Sequence, residues 1–210
     1  SEETSDLFQQ RLEKISVLKS RNINPYPVRF KRNITAGEIR ERFDEANPRQ
    51  VITAGRLRSK RVMGKASFGH IEDLSGAVQI YATPDHLGGE SYELFKMLDL
   101  GDIVGVEGVT FRTKRGEISI EASSITLLAK SIRPLPVVKE KDGVLFDEFA
   151  DREQRYRQRY VDLIVTPKTR QDFILRSRMI NGIRAYLTAR GFLEVETPIL
   201  QPIYGGAAAK

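Results

Sequence analysis

The feature that most constrains this chain is a change in hydrophobic period at Val51. From there to Leu128, apolar and polar residues alternate in short runs separated by glycine-containing turns, which is typical of β-strands. The runs predicted as strands are 51–60, 65–72, 77–82, 103–112 and 117–122. A helix that begins with Ser91 as its cap is predicted between the third and fourth strands. Three strands, a helix and two strands is the element order of an OB-fold β-barrel.

Helical patterns lie on both sides of the alternating segment. Before it, an amphipathic helix is predicted over 7–20, and Thr35 and Glu38 have the spacing of a capping box that begins a short helix. After it, a proline-rich stretch leads to two helices, the longer over 169–190, and to a strand over 193–197. The predicted fold class is α+β, with a helical extension over 1–50, an OB domain over 51–130, a linker over 131–150 and the incomplete start of a second domain over 151–210.

Composition narrows the classes of function. No run of about 18 apolar residues occurs, and residues 1–6 are polar and acidic, so we expect neither a membrane span nor a secretory signal. With no cysteine and only two histidines, we expect neither a disulfide framework nor a transition-metal site. The absence of cysteine fits a reducing compartment, and we expect a cytoplasmic protein.

Alternation also assigns each strand residue to one side of the barrel. Phe68, Gln79 and Glu117, together with Ser119, are assigned to the outer side. An exposed aromatic ring beside polar side chains suits single-stranded nucleic acid, because bases stack on the ring and polar groups read their free edges. The alternative is that Phe68 packs under a loop and that Gln79 and Glu117 are solvated surface. The residues assigned to the core are Ile71, Val78, Ile80, Ile118 and Ile120.

Basic residues are concentrated near the same face. The formal net charge of +6 favours a polyanionic partner such as nucleic acid. The residues expected to contact phosphates are Arg56, Arg58, Lys60, Arg61 and Lys65. A solvated basic turn is the alternative interpretation of this run.

Short motifs lie along nearly the whole chain. Two of them are RVMGKASF at 61–68 and RYRQRYVDL at 155–163. The others are NPYP at 24–27, LGD at 100–102, KRGE at 114–117, RPLP at 133–136, GFLEVETP at 191–198 and GGA at 205–207. Together these motifs resemble class II lysyl-tRNA synthetases. The barrel plan and the ETP ending are shared with aspartyl and asparaginyl relatives, so it is the set of motifs that carries the resemblance.

The resemblance implies roles for residues of the barrel face. In this family the N-terminal OB domain binds the tRNA anticodon, so the implied partner is tRNA(Lys). Phe68 is implied to stack on the central uridine, and Gln79 and Glu117 to read its edge. Arg56 and Arg61 match basic positions of the same site.

The resemblance also implies a homodimeric lysine–tRNA ligase that uses ATP and Mg²⁺. The helix over 169–190 and the strand after it resemble the motif that forms the dimer interface, with Phe173, Ile180, Ile183, Leu187 and Pro198 as interface residues. Gly205 matches a loop whose backbone approaches the lysine substrate. The two motifs that bind ATP do not occur before Lys210, so no catalytic or metal-binding residue is assigned. We expect these 210 residues alone to bind tRNA without forming lysyl-adenylate.

Three alternatives remain open on the sequence. The chain could be a standalone, non-catalytic OB module that binds RNA or DNA without sequence preference. It could be an enzyme of the same class that is specific for aspartate or asparagine, although the motifs at 155–163 and 205–207 argue against this. The exposed face of the helix over 169–190 could drive self-association or leave the end of the chain disordered.

Overall fold

The computed structural model describes residues 2–64, 66–136, 139–141, 144–146 and 149–199. The chain divides into two compact units, Ser1–Leu135 and Pro136–Lys210. Among the described residues, no helix combines the length and the apolarity that crossing a membrane requires.

Two helices precede the barrel in the first unit. Helix α1 spans Glu2–Ser20, and the chain leaves it through Asn22, whose φ of 58° is left-handed. Helix α2 spans Ala36–Glu41 and has the predicted capping box, because Thr35 and Glu38 exchange both hydrogen bonds. The N-terminus of α2 is also covered by the barrel, since Asp73 Oδ2 accepts a hydrogen bond of 3.0 Å from the Ala36 amide.

Five strands form a closed barrel, as the alternation predicts. They are β1 Gln50–Met63, β2 Ala66–Glu72, β3 Ala77–Ala82, β4 Ile103–Arg112 and β5 Ile118–Ala129. Their order around the barrel is β1-β2-β3-β5-β4, with β3 and β5 parallel and the other pairs antiparallel. Strand β1 is long enough to pair with both β2 and β4, and its pairing with β2 shifts between Leu57 and Ser59.

The segment between β3 and β4 differs from its prediction. It forms two helices, α3 over Pro84–Leu87 and α4 over Gly89–Met97, and Ser91 lies inside α4 instead of capping it. The break follows from Gly88, whose φ of 74° cannot continue a helix. The Thr83 side chain caps α3 by accepting a hydrogen bond from the His86 amide.

The barrel core consists of the residues that alternation places inside, together with side chains from α4. Ile71, Val78, Ile80 and Ile120 are at most 2% exposed, which confirms their assignment, and Ile118 is partly buried against this core. Phe95 of α4 is fully buried in the same cluster. The other residues of each strand point away from this core and form the outer surface of the barrel.

Charged side chains attach α1 to the barrel. Lys130 directly follows β5, and its side chain is 1% exposed. Its Nζ lies 2.6 Å from Asp99 Oδ2 and 2.9 Å from Asp102 Oδ1. Lys14 of α1 contacts the other Asp99 oxygen at 2.6 Å, and Arg11 donates to the Ser131 carbonyl at 3.0 Å. Burial raises the pKa of Asp99, but hydrogen bonds from Lys130 and Lys14 outweigh it and hold that pKa below its ordinary value.

The described residues of the second unit form a hairpin and three helices. The hairpin, β6 Lys139–Lys141 and β7 Val144–Phe146, lies within the segment predicted as a linker. The helices are α5 Arg152–Arg157, α6 Arg159–Val165 and α7 Pro167–Thr188. The fully buried Asp162 joins them, because its carboxylate accepts hydrogen bonds from Arg155 at 3.0 Å and from Thr169 at 3.4 Å.

The strand predicted over 193–197 is not formed. Its alternating pattern satisfies the sequence requirement for a strand, but a strand also needs a neighbour to complete its backbone hydrogen bonds. The described residues of the second unit place no strand beside this segment.

Candidate nucleic-acid interface

The outer face of the barrel is formed by neighbouring residues of β1, β2, β3 and β5. Phe68 pairs directly with Tyr81, and His70 pairs directly with Gln79, which in turn lies opposite Ser119. Directly opposite residues of a sheet share a face, so these side chains lie side by side. The predicted outward orientation of Phe68 is confirmed.

An aromatic row crosses this face. The rings of Phe68 and Tyr81 have centroids 5.1 Å apart and are tilted by 43°, and those of Tyr81 and Phe111 are 5.6 Å apart and tilted by 58°. All three residues are partly exposed. Sequence reasoning selected only Phe68, since contact between Tyr81 and Phe111 across β5 requires the strand order. Stacking on a base is the chemistry that such rings offer to a single strand.

A chain of hydrogen bonds runs next to the aromatic row. Gln79 Nε2 donates to Glu117 Oε2 at 2.7 Å, and the Ser119 hydroxyl donates to Gln79 Oε1 at 2.8 Å. On the other side of the carboxylate, His70 Nε2 lies 2.7 Å from Glu117 Oε1, and His70 Nδ1 lies 2.9 Å from the Ser59 hydroxyl. We call these five residues the polar chain: Ser59, His70, Glu117, Gln79 and Ser119.

The polar chain fixes what this face presents to a ligand. The Gln79 amide must turn its nitrogen to Glu117, because its oxygen would face the acceptor-only carboxylate. One N–H of Gln79 then remains to donate, and the Glu117 oxygens retain lone pairs to accept. A donor beside an acceptor is complementary to a base edge on which an acceptor and a donor are adjacent. Hydrogen bonds of this kind are what recognition of single-stranded bases requires.

Two residues predicted to project outward are covered on that side. Gln79 is 9% exposed and Ser119 is fully buried, whereas the Glu117 side chain is 48% exposed. Alternation correctly predicts the side of the sheet on which a residue lies. It does not predict whether neighbouring side chains cover that residue. Gln79 and Ser119 thus lie at the bottom of the polar chain, and Glu117 lies at its exposed edge.

The predicted phosphate contacts divide into two groups. Arg61 lies opposite Phe68 and is exposed, so it belongs to the face. Arg56 lies opposite Glu72 instead and donates to the Gly101 carbonyl at 2.8 Å, and burial lowers its pKa.

Two other basic residues of β1 are bound within the protein. Lys60 donates to the carbonyls of Lys96 and Leu98 at the end of α4, and Arg58 contacts Glu72 at 3.0 Å. Lys65 and Gly205 lie outside the described residues.

Helix α7 carries an apolar surface in the second unit. Of the predicted interface residues, Phe173, Ile180, Ile183 and Leu187 are 37–54% exposed, and Pro198 is exposed as well. Leu175, Met179 and Tyr186 add to this surface. Exposed apolar patches of this kind are typical of surfaces that bind other protein segments.

Two family models match the chain. Residues 51–128 match the OB-fold nucleic acid binding domain, and residues 151–210 match the class II tRNA synthetases (D, K and N). The chain is 51% identical over 209 residues to a lysine–tRNA ligase of Carboxydothermus hydrogenoformans, with 100% of this chain and 41% of that protein covered. It is 50% identical over 206 residues to a lysine–tRNA ligase of Syntrophomonas wolfei, with 98% of this chain and 40% of that protein covered.

The chain belongs to the class II lysyl-tRNA synthetase family. It spans about two fifths of the length of these two relatives. Within this family, the aromatic row and the polar chain lie in the part that matches the OB-fold nucleic acid binding domain. The apolar surface of α7 lies in the part that matches the synthetase domain.

Proposed function

We propose that the OB domain recognises the anticodon of tRNA(Lys) and that the protein is a cytoplasmic lysine–tRNA ligase, which activates lysine with ATP and transfers it to tRNA. One observation carries the proposal: the Phe68 ring lies beside the hydrogen-bonded pair Gln79 and Glu117 on an open barrel face. The chain that contains this face is about 50% identical to two lysine–tRNA ligases.

In the proposed complex, the central uridine of the anticodon stacks on Phe68. Its edge presents an N–H donor beside a carbonyl acceptor, so Glu117 accepts from the N–H while the free N–H of Gln79 donates to the carbonyl. Arg61, opposite Phe68, neutralises a neighbouring phosphate. The wider site includes Arg56, whose guanidinium holds the Gly101 carbonyl and therefore acts through the backbone.

ATP and Mg²⁺ belong to the proposed reaction. In the part of the chain that the structure describes, no group of three or more histidine, aspartate and glutamate side chains has a geometry that could hold a metal ion. We propose recognition of tRNA as the role of the barrel face, and we assign no step of lysine activation to individual residues.

We also propose that α7 forms the interface of a homodimer. The exposed residues Phe173, Ile180, Ile183 and Leu187 form its centre, and Pro198 lies beyond the end of the helix. Burying apolar side chains of this size contributes about 25 cal/mol per Å² removed from water, so the surface suits a stable protein partner.

The decisive experiment compares anticodon stem–loop RNAs. The full chain should bind a stem–loop with the lysine anticodon, and the dissociation constant should rise roughly tenfold or more when the central uridine is replaced by cytidine. A general single-strand binder would hardly distinguish the two RNAs, which would return the chain to the class of non-catalytic OB modules. Charging of tRNA(Lys) by the full-length enzyme with lysine, and not with aspartate or asparagine, tests the amino acid.

A further inference from the structure

We infer that His70 is a positioning residue that sets base discrimination, because it holds the Glu117 carboxylate in the orientation that reads the base. The inference rests on the proposed function, in which Glu117 accepts a hydrogen bond from the central uridine. In this inference His70 contacts Glu117, and it does not contact the RNA base.

The Glu117 carboxylate is held from two sides. His70 Nε2 lies 2.7 Å from Oε1, and Gln79 Nε2 lies 2.7 Å from Oε2. Glu117 directly precedes β5 and is 48% exposed, so little else restricts its long side chain. With Gln79 alone, the carboxylate could turn about that single hydrogen bond. The contact from His70 removes this rotation and fixes the direction of the remaining lone pairs.

The histidine ring is itself oriented. An ionised carboxylate only accepts hydrogen bonds, so Nε2 of His70 carries a hydrogen and donates it. Nδ1 of the same ring lies 2.9 Å from the Ser59 hydroxyl, which both donates and accepts hydrogen bonds. Ser59 pairs with His70 across β1 and β2, just after the register shift at Leu57. The acceptor-only carboxylate therefore fixes Nε2 as a donor, and the register shift places the Ser59 hydroxyl where it holds the other ring nitrogen.

His70 contributes little to the core, which makes a purely structural role separable. Its side chain is 36% exposed, whereas its neighbours in β2, Gly69 and Ile71, face the interior. Replacing His70 with another polar residue therefore leaves no cavity in the barrel. Any large effect of such a change should appear in base discrimination and not in thermal stability.

Two uncharged substitutions separate the effect of the N–H donor of His70 from the effect of its imidazole ring. His70→Gln retains an N–H donor near the position of Nε2, whereas His70→Asn is one carbon shorter and does not reach Glu117. Binding of the full chain is measured to lysine anticodon stem–loops with uridine or cytidine at the centre, and the ratio of the two dissociation constants is compared. We expect the ratio to fall roughly tenfold in His70→Asn and to remain within about twofold in His70→Gln.

The outcomes distinguish the inference from the proposed function. If the unsubstituted chain discriminates and His70→Asn discriminates equally well, the inference is wrong and the proposed function stands. Equal losses in His70→Asn and His70→Gln also overturn it, because the donor is then not the cause. An unsubstituted chain that does not discriminate overturns the proposed function, and the role of His70 with it. In a Glu117→Gln background, His70→Asn should have no further effect on the ratio.

Discussion

Gln79 and Glu117, 38 residues apart in the sequence, are joined on the outer face of the barrel by a hydrogen bond of 2.7 Å. The bond orients both partners, because the carboxylate decides which end of the amide faces it. The Ser119 hydroxyl holds the opposite end of the amide at 2.8 Å. The pair therefore presents one fixed donor and one fixed acceptor before any ligand arrives, which lowers the entropic cost of binding.

Removing the aromatic ring should weaken RNA binding. We expect Phe68→Ala to reduce affinity for the lysine anticodon stem–loop by about 1–3 kcal/mol, the contribution of one stacked base. Isothermal titration of the stem–loop gives the value. Leu74→Ala is the matched control, because Leu74 is 83% exposed in the turn between β2 and β3 and lies outside the aromatic row. Equal affinity for Phe68→Ala and the parent chain would mean that Phe68 serves packing against Tyr81.

Neutralising the acceptor should reduce discrimination more than affinity. In Glu117→Gln the side chain both donates and accepts, so it no longer rejects an edge that presents the wrong group. We expect the ratio of cytidine to uridine dissociation constants to fall roughly tenfold. Glu121→Gln is the matched control, since Glu121 lies in β5 four residues after Glu117 and contacts His86 at 3.0 Å. A similar loss in both variants would point to a general charge effect instead.

The face of the barrel was largely predictable because it depends on local periodicity. Alternation fixes the side of Phe68, and the same rule places Ile71 and Ile80 in the core. The polar chain was not predictable, because its members meet only after β5 inserts between β3 and β4. Alternation places His70 on the same side as Phe68, which lies two residues before it, but reveals no partner, since Glu117 is 47 residues away.

The basic residues of β1 show a second limit of sequence reasoning. Arg56 and Lys60 are cationic and lie in a basic run, which suggests contacts with phosphates. In the structure their charges hold backbone carbonyls, those of Gly101 for Arg56 and of Lys96 and Leu98 for Lys60. A cation that satisfies carbonyls at a helix end or in a turn has the same sequence signature as one that binds RNA.

The close approach of β4 and β5 should make Gly108 intolerant of a side chain. A Cβ at Gly108 would lie 2.1 Å from the Glu121 carbonyl oxygen, which is backbone that cannot rotate away. We expect Gly108→Ala to lower the free energy of unfolding by about 1–3 kcal/mol. Gly89→Ala, in α4 with no atom near its Cβ position, should be neutral or slightly stabilising. Urea unfolding of both variants gives the comparison, and equal stabilities would mean that β4 shifts freely.

A charge on the apolar surface of α7 should prevent the proposed dimer. Ile183 is 54% exposed at the centre of this surface, and burying an aspartate there without a partner is costly. We expect Ile183→Asp to shift the protein from dimer to monomer in sedimentation velocity. Asn181→Asp adds the same charge two residues away, on the opposite side of the helix, and should leave the dimer intact. A parent chain that sediments as a monomer would refute the proposed interface directly.

The ion pairs around Asp99 should make the first unit sensitive to acid. The pKa of Asp99 is lower in the folded chain than its ordinary value of 3.8, because hydrogen bonds from Lys130 and Lys14 outweigh the effect of burial. A carboxyl group with a depressed folded pKa stabilises the fold above its unfolded pKa, and this stabilisation is lost as the pH falls through the folded pKa. The contribution of Asp99 is therefore complete at neutral pH and decreases below about 3.8.

Asp99→Asn tests this linkage. The amide cannot ionise, so we expect the variant to be less stable than the parent chain at neutral pH and to lose less stability on acidification below pH 4. Urea unfolding between pH 3 and pH 7 gives, for each protein, the slope of the free energy of unfolding against pH. Asp85→Asn is the control, because Asp85 is an exposed residue of α3. Removing its charge leaves the ion pairs of Lys130 with Asp99 and Asp102 intact. If the free energies of unfolding of Asp99→Asn and the parent chain depended on pH in parallel, the charge of Asp99 would not contribute to the stability of the first unit. Since Lys14 joins α1 to the barrel through the same carboxylate, the variant should also expose α1 to proteolysis at neutral pH.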